Sequence, residues 1–186
     1  PGEVLQAVEQ AAQAPLEPFY EDVLLRSENL KGTTPLSAGR LAGVSVHTGR
    51  AGEIIADLSA SFRKKGFLLF RSQQNFGAVP DVLTVVRGNS SYDILRIQKT
   101  EGVHYHLDTK AIVRWLREQQ KLGAFVVTGA GADWVEAQFI RPPRNMKQFA
   151  RNVVSFAPDV LHDGIRSVDT LTERMISENG FRLTWD

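Results

Sequence analysis

Apolar residues recur along this chain at two spacings, helical and alternating, and the pattern is clearest after residue 144. Met146, Phe149, Ala150, Val153 and Val154 stand at i, i+3, i+4, i+7 and i+8, one face of a 3.6-residue helix. Asn145 precedes them as a cap, with Gln148 placed to reach back to it in a capping box. Ser167 opens another predicted helix with Val168, Leu171, Met175 and Ile176 inward. Gly180 is expected to end that helix, and Phe181, Leu183 and Trp185 then alternate as a strand.

Upstream, Val44 and Val46 flank Ser45 in a short strand-like alternation. Thr48 is placed to cap a helix carrying Ile54, Ile55, Leu58 and Phe62 on one face, and Gly66 to end it. Continuous apolar runs at 67–70 and 82–86 read as buried strands. Ser90 or Ser91 can cap a helix through Ile94, Leu95 and Ile97, although the same residues also alternate as a strand. Asp108 caps a helix that buries Ile112, Trp115 and Leu116. Residues 124–127 and 134–140 are β-rich runs joined by TGAGAD, a hairpin signal, and Pro142 and Pro143 stop the second. Before all of these, residues 3–13 have helical spacing, Pro15 and Pro18 interrupt, 19–25 is mixed and apolar, and 32–43 is rich in turn residues. That last passage reads as a surface loop or a linker. The prediction is a helical and irregular segment over residues 1–47, then an α+β domain over 48–186. Its mostly antiparallel sheet would carry helices packed against it in a single main domain.

Composition narrows the function. The chain has 186 residues, enough for one domain with a sizeable core. Its 22 basic and 21 acidic residues give a net charge of +1, without the basic excess of nucleic-acid binders, so no nucleic-acid partner is expected. Cysteine is absent, which removes disulfides, thiolate metal sites and thiol nucleophiles. There is no run of 18 apolar residues, and the first residues do not follow the order of a secretory signal. The expectation is a cytoplasmic protein that engages no membrane.

Three groups of residues are candidates for chemistry. Trp134, Glu136 and Gln138 share one face of their predicted strand, an aromatic floor with a carboxylate and an amide that suits a ligand or partner. A helix covering Trp134 and a salt bridge for Glu136 is the structural alternative. Asp159, His162 and Asp163 fall within FAPDVLHDG. A His among carboxylates can serve as a general base, but a turn with Gly164 at positive φ explains the same residues. His104 and His106 would face the same way in an extended segment and offer two metal ligands, with Asp108 or a distant carboxylate as a third. Asp108 as a helix cap, with solvated histidines, is the simpler account. No catalytic residue, structural metal or cofactor is therefore predicted. The glycines of GAGA lack the Lys-Ser/Thr of a phosphate loop and read as a turn. Runs such as Arg63-Lys64-Lys65 read as solvated surface.

The stretch DWVEAQFIRPPRNMKQFARNVVSFAPDVLHDG, followed by VDTLTERM and FRLTWD, resembles the domain of unknown function 4253 family. The likeness reaches back to about residue 54 through GFLLFR, DVLTVV and SYDILRIQKTEGVHYHLDTKAIVRWL. Its most specific marks are Pro158 with Asp159 and Trp185 with Asp186. Members commonly carry Cys where this chain has Ala157, and Asp-Gln where it has His162 and Asp163. Any chemistry of that thiol or first carboxylate could not be repeated here unchanged, and these departures favour a binding or structural role for this segment. The expected function is a non-catalytic protein-binding module, in its sharpest form an immunity-type protein that neutralises a bacterial toxin by direct binding. Its expected surface comprises Trp134, Glu136, Asp159, His162, Asp163 and Trp185. The alternative is a small hydrolase or metal-dependent enzyme using His104, His106, Asp159, His162 and Asp163.

Overall fold

The computed structural model describes residues 1–24, 37–162 and 164–186. Over these the chain runs α1 (Gly2–Ala12), β1 (Glu17–Leu24), β2 (Ser37–Thr48), α2 (Ala51–Lys64), β3 (Phe67–Gln73), β4 (Asp81–Arg87) and α3 (Asp93–Ile97). It continues through α4 (Thr109–Gln119), β5 (Ala124–Ala130), β6 (Trp134–Arg141), α5 (Met146–Phe156), α6 (Val168–Glu178) and β7 (Gly180–Thr184). The strands form one sheet in the order β1-β2-β4-β3-β5-β6-β7. Every neighbouring pair is antiparallel except β3 and β5, which meet in parallel through Arg71 and Gly129. The result is a single α+β domain. None of its described helices is long and apolar enough to cross a membrane.

The sheet is covered unequally. On one face, α3, α4, α5 and α6 pack over a core that runs from Leu68 and Phe70 of β3 to Phe181 and Leu183 of β7. Phe149, Val153, Leu171, Phe181 and Leu183 all belong to this core, the grouping their periodicities imply. On the other face, α1 and α2 cover Val46, Leu69, Leu83 and Val85 of β2, β3 and β4. Because successive strand residues point to opposite faces, β3 and β4 bury both. Their apolar runs are continuous for that reason.

Local chemistry explains most boundaries. Asp108 accepts from the Ala111 N–H at 2.7 Å and Ser167 from Thr170 at 3.1 Å, each capping its helix. Asn145 accepts from Gln148 at 2.9 Å, but the Gln148 amide donates to Asn152 at 3.0 Å instead of closing a capping box. Residues 93–97 are helix rather than strand.

Four expectations need correction. Thr48 does not cap α2: it ends β2, paired with Asp81, and its hydroxyl accepts from the Arg50 N–H at 3.1 Å. Asn179, not Gly180, takes the left-handed position after α6, with φ 49°. Gly180 belongs to β7, where a Cβ would stand 2.5 Å from the Ala137 carbonyl oxygen. Ile176 points outward and is 62% exposed. Residues 32–36 of the turn-rich passage lie outside the described residues, while 37–43 form the first part of β2. The sheet thus extends into residues 1–47 through β1 and β2, and α1 packs beside α2.

Candidate functional site

Alternation brings a set of polar side chains to the face that α1 and α2 cover only in part. Trp134 and Glu136 of β6 lie there opposite Thr184 and Arg182 of β7, with Thr128 of β5 beside Glu136. No residue of β5, β6 or β7 belongs to the core under α1 and α2. This half of the face therefore has no helical cover among the described residues. A cleft of about 930 Å³ opens over it, lined by Arg71, Phe76, Thr128, Trp134, Glu136 and Arg182. Beyond the outer edge of β7 it continues to His162 and Arg174.

Trp134 is seated on glycine. A Cβ on Gly131 would lie 2.1 Å from the indole Nε1, and one on Gly129 would lie 3.1 Å from Cζ3. The glycines of GAGA are thus a flat bed for an aromatic ring. The Arg182 guanidinium carbon stands 4.5 Å from the Trp134 ring centre and 5.6 Å from that of Phe76. Its Nη1 donates to Gln74 Oε1. A cation held over aromatic faces gains about 0.5–2 kcal/mol, more as water is excluded. Burial pushes the pKa of Arg182 down, and the nearby charge of Glu136 opposes that shift.

Phe76 reaches this position from the turn between β3 and β4. The turn is tied down by Asn75, whose side chain donates to the Pro80 carbonyl at 2.7 Å and whose N–H donates to Asp81 at 2.8 Å. Phe76 itself has φ 49° and is 79% exposed. A bulky residue in left-handed conformation costs about 1–2 kcal/mol. The turn accepts that strain while presenting an aromatic ring to solvent.

Glu136 stands directly across from Arg182 in the strand register but pairs with Arg71. Its Oε1 accepts from the Thr128 hydroxyl at 3.3 Å. Arg71 also has Nε 3.0 Å from Asp81, with side-chain exposures of 12% and 18%. Arg71 Nε nonetheless has no hydrogen-bond partner, so its contact with Asp81 is an ion pair by distance and not by N–H direction. Arg71 thereby absorbs two carboxylates in a largely dry setting, where losing one partner is costly.

The other predicted site residues lie in different surroundings. His162 lines the far end of the cleft and is exposed. Asp159 does not line it: Oδ1 accepts from the Tyr105 hydroxyl at 2.8 Å, and that bond pushes the Tyr105 pKa up. Its Oδ2 is buried without a hydrogen-bond partner. Trp185 is 2% exposed and belongs to the core, with Nε1 donating to the Phe156 carbonyl at 3.2 Å. Asp163 lies outside the described residues. The cleft thus unites Trp134, Glu136 and His162, while Asp159 and Trp185 stand away from it.

The segment around His104 is a 3-10 turn, Val103–Tyr105, and not an extended strand. Residues two apart on such a turn point in different directions. It is Tyr105, rather than either histidine, that meets Asp159. Among the described residues no three His, Asp or Glu side chains gather as metal ligands.

Sequence reasoning passed over Arg71, Gln74, Phe76, Thr128 and Arg182. Arg182 was within reach, because alternation of Phe181, Leu183 and Trp185 inward turns Arg182 and Thr184 toward Trp134 and Glu136. Arg71 and Phe76 gave no local signal, since only the placement of β3 beside β5 brings them near β6.

Architecture and site together define an α+β domain with one half-open sheet face. The chain belongs to the family described as Domain of unknown function (DUF4253), which matches residues 82–186, more than half of its length. The match begins in β4 and includes Trp134, Glu136 and Arg182, but Arg71 and Phe76 precede it. No curated protein and no solved structure matches the chain.

Proposed function

We propose that this chain is a non-catalytic protein-binding module whose working surface is the open half of the sheet around Phe76, Trp134 and Arg182. The observation that carries the reading is the stack of Arg182 against Trp134 and Phe76 on the half of that face that no helix of the described residues covers. Aromatic residues and arginine dominate the energetics of protein interfaces, because they bury much area at low entropic cost. The Arg71 and Glu136 ion pair beside them gives the surface a polar border.

The partner we propose is a bacterial toxin, which the chain would neutralise in the cytoplasm by direct binding. An immunity-type protein needs a surface and no reaction centre, and that is the support for this form of the function; fold by itself does not assign it. A net charge of +1 speaks against a nuclease toxin, whose basic surface is usually met by an acidic partner. Co-expression with a candidate toxin, sought first in the neighbouring genes, tests both levels. The natural chain should restore growth, Phe76→Ala and Trp134→Ala should lose protection, and Leu41→Ala on β2 should keep it. No protection by the natural chain would remove the toxin reading. Full protection by both aromatic variants would remove this surface.

A further inference from the structure

Arg182 is a cation in a partly desolvated position, with Glu136, Asp133 and Asp186 acting on it from a distance. Glu136 stands opposite it in register, yet its carboxylate has turned to Arg71, which also takes Asp81. No carboxylate of the described residues comes within ion-pair distance of Arg182. One guanidinium N–H goes to Gln74, and the guanidinium stands over the Trp134 ring with Phe76 beside it, neither of which accepts its edge donors. The N–H donors not taken by Gln74 can offer a planar fork to a carboxylate, which accepts two parallel hydrogen bonds from such a fork. Burial disfavours the charge of Arg182, so an incoming anion would offset a cost the folded chain already bears.

The surroundings select among anions. Asp133 and Asp186 line the same cleft, are exposed, and act on Arg182 from beyond ion-pair distance. They weaken the pull of Arg182 on any anion, and taking a doubly charged phosphate out of water into this partly buried position costs more than taking a singly charged carboxylate. The rings of Phe76 and Trp134 supply apolar area for the residues flanking that carboxylate. We infer that Arg182 is the receptor for one Asp or Glu side chain, presented by a peptide segment of the protein partner that docks along the open sheet face. This rests on the reading of that face as the binding surface.

The test uses the full chain, labelled with 15N, and follows the Trp134 indole N–H and Arg182 Nε–H signals. The probes are acetyl-Gly-Glu-Gly-amide, its Gln counterpart, sodium acetate and sodium phosphate. The Glu peptide should shift both signals saturably, and the Gln peptide, acetate and phosphate should each bind about tenfold more weakly or worse. Arg182→Lys should lower affinity about tenfold, because lysine loses both the fork and the stack. Phe76→Ala, in an exposed turn, should weaken binding several-fold and decides the matter if the β7 variant does not fold. Acetate binding as tightly as the Glu peptide would assign the site to free small carboxylates and overturn the peptide. Equal binding of Glu and Gln peptides, tighter binding of phosphate, or absence of saturation to about 10 mM would overturn the carboxylate receptor. Loss of the carboxylate response with toxin protection intact would reject this inference alone and leave the binding surface standing.

Discussion

Replacing Phe149 by alanine should open a cavity that no single element can close. The ring is fully buried and lies 5.4 Å from Phe139, 5.0 Å from Phe181 and 6.4 Å from Phe125, each at a steep interplanar angle. Those three partners come from β6, β7 and β5, so collapse onto the vacancy would have to move three strands at once. Phe→Ala in a core costs about 3–5 kcal/mol, through lost transfer energy plus the residual cavity. Edge-to-face pairs are worth about 0.5–1.5 kcal/mol each, and part of that is already inside the core figure. The rigid surroundings place Phe149→Ala near the upper end, about 4–5 kcal/mol. For a chain of this size that lowers the melting temperature by about 10–20 °C. Urea unfolding followed by circular dichroism should show a lower midpoint with an unchanged slope. Phe149→Leu, which retains most of the volume, should cost about half as much or less. A loss below about 1.5 kcal/mol for the alanine variant would mean that the cavity closes, and would refute the reasoning from a shared four-ring cluster.

Gly131→Ala should displace the Trp134 indole, because the new methyl would stand 2.1 Å from Nε1; an indole N–H resonance unchanged from the natural chain would disprove the glycine bed. Lys147 lies 2.7 Å from Asp169 and joins α5 to α6. Its hydrogen bond, with its charge second, holds the Asp169 carboxyl below the ordinary aspartate value. The depressed folded pKa means that this contribution is present above the unfolded value and is lost as pH falls through the folded one. NMR titration should find the Asp169 pKa depressed and Lys147→Met should raise it, whereas an identical pKa in both forms would remove the pair.

Much of the fold was legible because its signals are local. The periodicity around Phe149, the caps at Asn145, Asp108 and Ser167, and the alternation of Phe181 and Leu183 each depend on a few neighbouring residues. The misread points depend on distant ones. Both Asn179 and Gly180 can end a helix, and the choice follows from Gly180 lying against the Ala137 backbone across the sheet. Ile176 keeps helical spacing but falls outside the stripe that Leu171 and Met175 bury. At the site, Trp134 and Glu136 followed from alternation within one strand. Trp185 carried a warning in the same pattern, since it alternates inward with Phe181 and Leu183, although a large aromatic near charged residues also suits a binding surface. Arg71 and Phe76 required the β3–β5 neighbourhood, a pairing between distant segments that no local pattern encodes.

The most direct test of the binding surface is the affinity of a toxin that the natural chain neutralises for that chain, for Phe76→Ala and for Leu41→Ala. Phe76 is 79% exposed and Leu41 is 63% exposed, so each variant trims an apolar side chain from the surface, one beside Arg182 and one on the opposite half of the sheet. Phe76→Ala should weaken binding about tenfold or more and Leu41→Ala about twofold or less, with both melting temperatures unchanged. Undiminished affinity in Phe76→Ala, or an equal loss in Leu41→Ala, would contradict the assignment of function to the open half of the sheet.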